Sequence, residues 1–177
     1  IEDKWITDAS CGQALVPVES GGYRIMQNID FPYFPSVTLF SKDELTQGLS
    51  NVIFPFTSPL KLTHPKANVF ILSSSKSNLS GFDEKFDVEK KWSEKDFKLS
   101  ALPIAAQIEK GNSRAIVFGN SGFITNDKEQ QLPEDNIKLF SNCIDWLCHQ
   151  TGFIALRNKK FSFIPIKNMD EGDKTFI

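Results

Sequence analysis

The chain has 177 residues, 40% of them hydrophobic and 24% charged, with a formal net charge of -2. That length suffices for one domain with a sizeable core, and the charge leaves no electrostatic footprint for nucleic acid or an acidic membrane surface. No apolar run has bilayer-spanning length, and the sequence opens at Ile1-Glu2-Asp3-Lys4-Trp5 without an initiator Met, as in a processed protein or a piece of a longer one.

Taken in order, Ala14 to Val18 and Tyr23 to Gln27 read as two extended runs, and Gly21-Gly22 between them is a hairpin signal. Pro17 places the first run at a sheet edge or at a break. Asp30-Phe31-Pro32-Tyr33-Phe34-Pro35 is stiff and non-helical, because each proline fixes its own φ and pushes its predecessor towards extended geometry. Its rings, Phe31, Tyr33 and Phe34, form either a partner-recognition surface or packing over one end of the core.

Ser41 to Leu49 reads as a short helix with Ser41 as N-cap, Glu44 closing a capping box and Gly48 at its end. A strand follows over Asn51 to Phe56, held to an edge by Pro55. Asn68 to Leu72 reads as a buried strand emptying into Ser73, Ser74 and Ser75. Residues 78 to 96 are charge-rich and are expected to form an exposed excursion; Asn78-Leu79-Ser80 within it matches a glycosylation sequon. The Phe97 to Lys110 stretch includes a strand whose Gly111-Asn112-Ser113 turn makes a hairpin with the next one.

Ala115 to Phe118 reads as a strand covered on both faces, ending at Gly119-Asn120-Ser121-Gly122. Ligands bind at the carboxyl ends of strands in open α/β sheets, so Gly119, Asn120, Ser121 and Gly122 together with Ser73, Ser74 and Ser75 form the candidate ligand site. After Leu132-Pro133, a helix is predicted over 136–150, with Asp135 as N-cap, Gly152 as C-cap, and Ile137, Phe140, Cys143, Ile144, Leu147 and Cys148 as the core stripe. Phe153 to Arg157 and Phe161 to Ile164 are expected to be a terminal strand pair, followed by a loose tail over Asn168 to Lys174.

Chemistry is sparsely signalled. Gly119-Asn120-Ser121-Gly122-Phe123 approaches a GxSxG nucleophile elbow but has Phe123 in place of the second glycine. The alternative hydrolase reading is a Ser121-His149-Asp145 set. With two histidines and no ligand-like spacing, neither a metal nor another cofactor is expected. Cys143 and Cys148 lie about 140° apart around one helix and do not bond to each other. The three cysteines are therefore small buried apolar residues, or Cys11 bridges to one of the others.

Two stretches carry a family resemblance. One runs from Ile6-Thr7-Asp8-Ala9-Ser10-Cys11-Gly12 through Phe31-Pro32-Tyr33-Phe34-Pro35 to Gly48-Leu49 and Val52-Ile53-Phe54-Pro55-Phe56. The other joins Arg114 to Phe123 with Asn142-Cys143-Ile144-Asp145-Trp146-Leu147. Together they resemble the extracytoplasmic domain of GldG-like proteins, the gliding-motility-associated ABC transporter auxiliary or substrate-binding components of Bacteroidota. That family shows a P-Y-F-P element, a G-L then F-P-F/S element, a G-D-S-x-F turn and an N-x-x-x-W-L helix in this order. Here Asn120 stands where the turn usually has an acid.

The resemblance implies a flavodoxin-like or class I glutamine-amidotransferase-like three-layer α/β sheet, with antiparallel extensions and without that enzyme class's catalytic cysteine. It implies a non-enzymatic domain that binds a substrate or a partner protein and works with an ABC permease and ATPase. By the same resemblance the parent is membrane-tethered, with this domain at the periplasmic face of the inner membrane. Residues 1–177 would then be a single domain, the latter part of a larger ectodomain with a sheet open to completion.

Overall fold

The computed structural model describes residues 1–84, 88, 90–125 and 132–159. Its order begins with β1 (Lys4–Asp8), β2 (Cys11–Ser20), β3 (Tyr23–Val37), a 3-10 turn at Glu44–Thr46 and the short β4 (Val52–Ile53). There follow β5 (Asn68–Leu72), β6 (Ser77–Gly81), a 3-10 turn at Glu94–Asp96, β7 (Pro103–Lys110) and β8 (Ser113–Phe118). A 3-10 turn at Gly122–Ile124 leads to α1 (Glu134–Leu147) and α2 (Thr151–Arg157).

Turn chemistry sets the hairpins. Gly21 and Gly22 have φ of 59° and 82°, the pair of positive values that a two-residue type I′ turn demands, and β2 and β3 pair antiparallel around them. Gly111 alone of its turn has positive φ, 62°, and joins β7 to β8. β2 is an edge, as Pro17 requires, and β3 continues through Phe31 to Pro35, where its register with β2 shifts between Gln13 and Cys11.

The expectation of a flavodoxin-like or amidotransferase-like three-layer sheet is overturned. The described chain is mostly β, 38% strand and 20% helix, in three small antiparallel sheets ordered β1-β6, β2-β3-β4 and β5-β7-β8, with two helices. The reason lies in β7: it turns back on β8 through a tight hairpin and pairs antiparallel with β5 on its other side, so no helical crossover joins neighbouring strands. Nor is β8 covered on both faces. Its burial alternates, with Ala115 and Val117 exposed and Ile116 and Phe118 turned inward.

Other expectations shift locally. The excursion over 78–96 contains β6, which pairs with β1 residue by residue from Lys4 with Gly81 to Asp8 with Ser77. Asp43, not Ser41, caps the first short turn by accepting from the Leu45 N–H. Phe153 to Arg157 belongs to helix α2 rather than to a strand; the Phe161 to Ile164 strand and the tail lie outside the described residues.

The main core gathers Ile6, Val37, Leu45, Val52, Phe54, Phe70, Ile71, Ile104, Phe123, Leu139, Trp146 and Ile154. A second, aromatic core contains Ala14, Phe31, Tyr33 and Phe34, with Trp5, Phe56 and Trp92 packed against it. On α1 the buried face is Asn136, Leu139, Asn142, Cys143 and Trp146. Of the predicted stripe only Cys143 lies there; Ile137 is 61% exposed and Ile144 45%, with Phe140 and Leu147 also exposed.

Candidate functional site

Because β5 and β8 both run antiparallel to β7, their carboxyl ends emerge at the same end of the sheet. The Ser73 N–H donates to the Leu102 carbonyl and the Gly119 N–H to the Ile104 carbonyl, so the start of β7 stands between the two polar turns. The topology thus brings Ser73, Ser74 and Ser75 to the same edge as Gly119, Asn120, Ser121 and Gly122, about two strand spacings, or roughly 10 Å, away.

Most of these polar groups are spent on the fold. Asp8, buried at the end of β1, accepts from the Ser74 N–H at 2.7 Å, the Ser74 hydroxyl at 2.5 Å and the Ser10 N–H at 2.8 Å. The Ser73 hydroxyl meets that of Ser77 at 3.0 Å and accepts from the Leu102 N–H. The Asn120 amide donates to the carbonyls of Pro55 and Phe56, each at 2.8 Å, and its oxygen accepts from the Gly122 N–H. Gly119 lies so close to the Ser58 carbonyl that a Cβ would overlap it. Asn120 therefore ties the turn after β8 to the Phe54-Pro55-Phe56 element, where an acid would face two carbonyl oxygens.

What is left open is small. Ser73, Ser74 and Ser75 line a cavity of about 170 Å³ with Ser10, Ser36, Val37, Thr38, Leu39 and Leu72. That is below the roughly 300–1,000 Å³ of drug-sized ligand sites. The hydroxyls of Thr38 and Ser75 have no hydrogen-bond partner among the described residues. Ser10, Ser36 and Thr38 carried no signal in the sequence, since each is an isolated small polar residue.

Phe31, Tyr33 and Phe34 are turned into the protein. Phe31 meets Tyr33 and Phe34 with ring centroids at 5.2 and 5.0 Å, and the Tyr33 hydroxyl lies 3.1 Å from that of Ser80. This geometry accounts for the three rings as core packing.

The serine set does not assemble. The His149 Nε2 atom lies 3.3 Å from the Asn112 carbonyl, at the start of β8, and Ser121 follows the end of that strand. Six strand residues put them about 20 Å apart. Asp145, in turn, is held by the Arg157 guanidinium at 2.5 Å.

The cysteines are free thiols in three settings: Cys11 half-buried, Cys143 buried and Cys148 exposed. Burial, with help from Asp30 and Asp8, pushes the Cys11 thiol up to about 11, and burial followed by Asp43 pushes Cys143 up to about 12. Neither carries the thiolate that nucleophilic or ligating chemistry uses near neutral pH. Among the described residues no three of His, Cys, Asp and Glu gather as a metal ion would need, and no helix is long and apolar enough to cross a membrane.

Further polar side chains that hold the fold together lie on α1. Asn136 donates to the Ile53 and Phe123 carbonyls and accepts from the Ile53 N–H. Asn142, fully buried, donates to the Leu45 and Gln47 carbonyls and accepts from Arg157. Asp135 is not an N-cap; Pro133 holds that place, and the carboxylate accepts from the N–H groups of Ser50 and Asn51. The motif elements thus touch one another along one seam: the turn after β8 against Pro55 and Phe56, and the Asn142 helix against the Leu45 to Gly48 turn.

These features define a β-rich domain whose recurrent polar residues are structural staples and whose described part holds no assembled catalytic set. The family model described as an ABC-type uncharacterized transport system matches residues 1–148, and the chain belongs to that family, whose members are auxiliary components of such systems. Membership points to a non-enzymatic role and implies transporter components as partners. No curated protein and no solved structure matches the chain.

Proposed function

We propose that the chain is a non-enzymatic, extracytoplasmic domain of an ABC-type transport system of the gliding-motility kind, and that it works by binding a partner polypeptide of that system. In this reading it stands at the periplasmic face of the inner membrane, in a membrane-tethered parent that acts with a permease and an ATPase. One observation carries it: α1 has a second apolar stripe, Ile137, Phe140, Ile144 and Leu147, that the domain's own core leaves uncovered. A stripe at helical spacing on the open side of a helix is a surface for another polypeptide.

The test is co-purification of the permease and ATPase with the full transport protein carrying Phe140→Ser and Ile144→Glu. Covering each such side chain contributes about 1.5–3 kcal/mol, so losing both weakens capture at least tenfold. Undiminished capture by a folded variant refutes the reading. A second, small-ligand reading rests on the serine-lined cavity, where the exposed hydroxyls of Thr38 and Ser75 have no partner among the described residues, with Gly119 to Gly122 at the same sheet end.

A further inference from the structure

Among the described residues, β8 is an unpaired edge of its sheet. In the pairing with β7, Lys110 stands opposite Ser113 at the two-residue turn and the Gly119 N–H reaches the Ile104 carbonyl. The bonds to β7 are therefore made by Ser113, Ala115, Val117 and Gly119, and the N–H and C=O groups of Arg114, Ile116 and Phe118 point outward. Among the described residues no strand pairs with that side.

Two of the other long edges, β2 and β5, carry protective devices. Strand β2 contains Pro17 and a register shift between Cys11 and Gln13. Strand β5 has register shifts around Ile71, and the Ser41 hydroxyl covers its Phe70 carbonyl at 3.4 Å. β8 has no proline, lysine or bulge. Its one charge, Arg114, is turned back to the Trp146 carbonyl, the Trp146 ring and Glu109.

Both faces beside this edge present apolar side chains. Asn142 and Asp145 of α1 meet Arg157 of α2, and Asn142 meets the Leu45 turn, so α2 and that turn flank α1 on the side towards β5. At 100° per residue the stripe of Phe140, Ile144 and Leu147 lies on the opposite flank, the side where the sheet ends at β8. On the sheet's other face, Ala115 and Val117 border a shallow groove whose apolar lining, Leu60, Leu62, Ala106 and Ile108, is interrupted by Lys61 and His64. A strand laid against β8 would alternate its side chains between these two surfaces.

We infer that β8 seats a β-strand supplied by a different polypeptide of the transport system, apolar on both faces and bonded through its main chain to Arg114, Ile116 and Phe118. The inference rests on the partner-binding reading above. A second copy does not suit the seat. α1 runs along β8, from Asn136 beside Phe123 to Trp146 above Arg114. Pairing two β8 strands at about 4.8 Å would place two such helices over adjacent strands, whereas packed helices need roughly 8–10 Å between axes.

The test is residue-resolved amide exchange on the isotopically labelled 177-residue chain. The probe is a disulfide-cyclised hairpin peptide whose free strand reads Val-Thr-Val-Ile-Val; the control is the same peptide with its free edge N-methylated. The expected result is fast exchange at Arg114, Ile116 and Phe118 in the free protein, slowed about tenfold by the first peptide and not by the second. Equal protection by both peptides, protection by neither, or slow exchange at all three amides before any peptide is added overturns the seat. Protection that rises with protein concentration as the mass doubles overturns it too, in favour of a second copy. The Phe140→Ser, Ile144→Glu capture result stands apart: lost capture with no protection at β8 sinks the strand seat alone, and undiminished capture sinks the reading beneath it.

Discussion

Asn120, Asn136 and Asn142 each put an amide where a main chain lacks partners, and each ties the segment between Leu45 and Phe56 to a later part of the chain. An amide suits this task because it donates and accepts at once, whereas a carboxylate only accepts. Asn120→Ala removes two donated bonds and leaves the Pro55 and Phe56 carbonyls short of a donor, at a cost of about 2 kcal/mol. In a chain this size that lowers the thermal midpoint by about 4–8 °C. Asn120→Asp costs more, because it aims an anion at the same two oxygens; calorimetry should rank wild type above Ala above Asp. A midpoint unchanged in Asp would show that Asn120 holds nothing together. The sequence marked Asn120, Ser73 and Ser74 as polar residues at strand ends, and that much is where the structure places them. It did not show that the hydrogen bonds of Ser74 and Asn120 are already spent, because Asp8, Pro55 and Phe56, the groups that spend them, are more than sixty residues away in the chain; Ser73 is taken up by Ser77 and by Leu102 of the next strand's approach.

At the scale of elements, hairpins were legible and faces were not. Gly-Gly and Gly-Asn turns between extended runs point to β2-β3 and β7-β8 through backbone stereochemistry that needs no tertiary context. The buried side of α1 depends on such context: two asparagines sit at its centre, and an apolar period cannot announce them. The end of α1 misled for a related reason. The His149 N–H reaches the Trp146 carbonyl and the Gln150 N–H the Asp145 carbonyl, a Schellman closure in which His149, at φ 59°, takes the left-handed position usually given to glycine. Gly152, which looked like the cap, lies inside α2. His149→Gly should therefore stabilise the protein by about 0.5–1 kcal/mol and raise the thermal midpoint by about 1–4 °C, net of the weak contact to Asn112. A lower midpoint would mean that the imidazole contact outweighs the backbone strain.

At the scale of the whole molecule, the two cores share their walls. Neighbouring residues on a strand point to opposite faces, and β1 and β4 use this to feed both cores, whereas β3 does so across the break in its register with β2. In β1, Trp5 packs on the aromatic core and Ile6 lies in the main one; around β4, Ile53 faces the aromatic core while Val52 and Phe54 fill the main core. β3 contributes Phe31 and Phe34 to one and Val37 to the other. Neither core can loosen without exposing the wall of its neighbour, so the described part of the chain should unfold as one unit. Its three tryptophans allow the point to be measured, because Trp5 and Trp92 report on the aromatic core and Trp146 on the main one. A Trp146→Phe variant and a Trp5→Phe, Trp92→Phe variant, each titrated with urea and followed by both fluorescence and far-ultraviolet circular dichroism, should each give superimposable transitions in the two signals. Fluorescence in the Trp146→Phe variant that changes at lower urea than its dichroism would show that the aromatic core opens first. The β1-β3-β4 wall would then be a hinge between two separately stable halves.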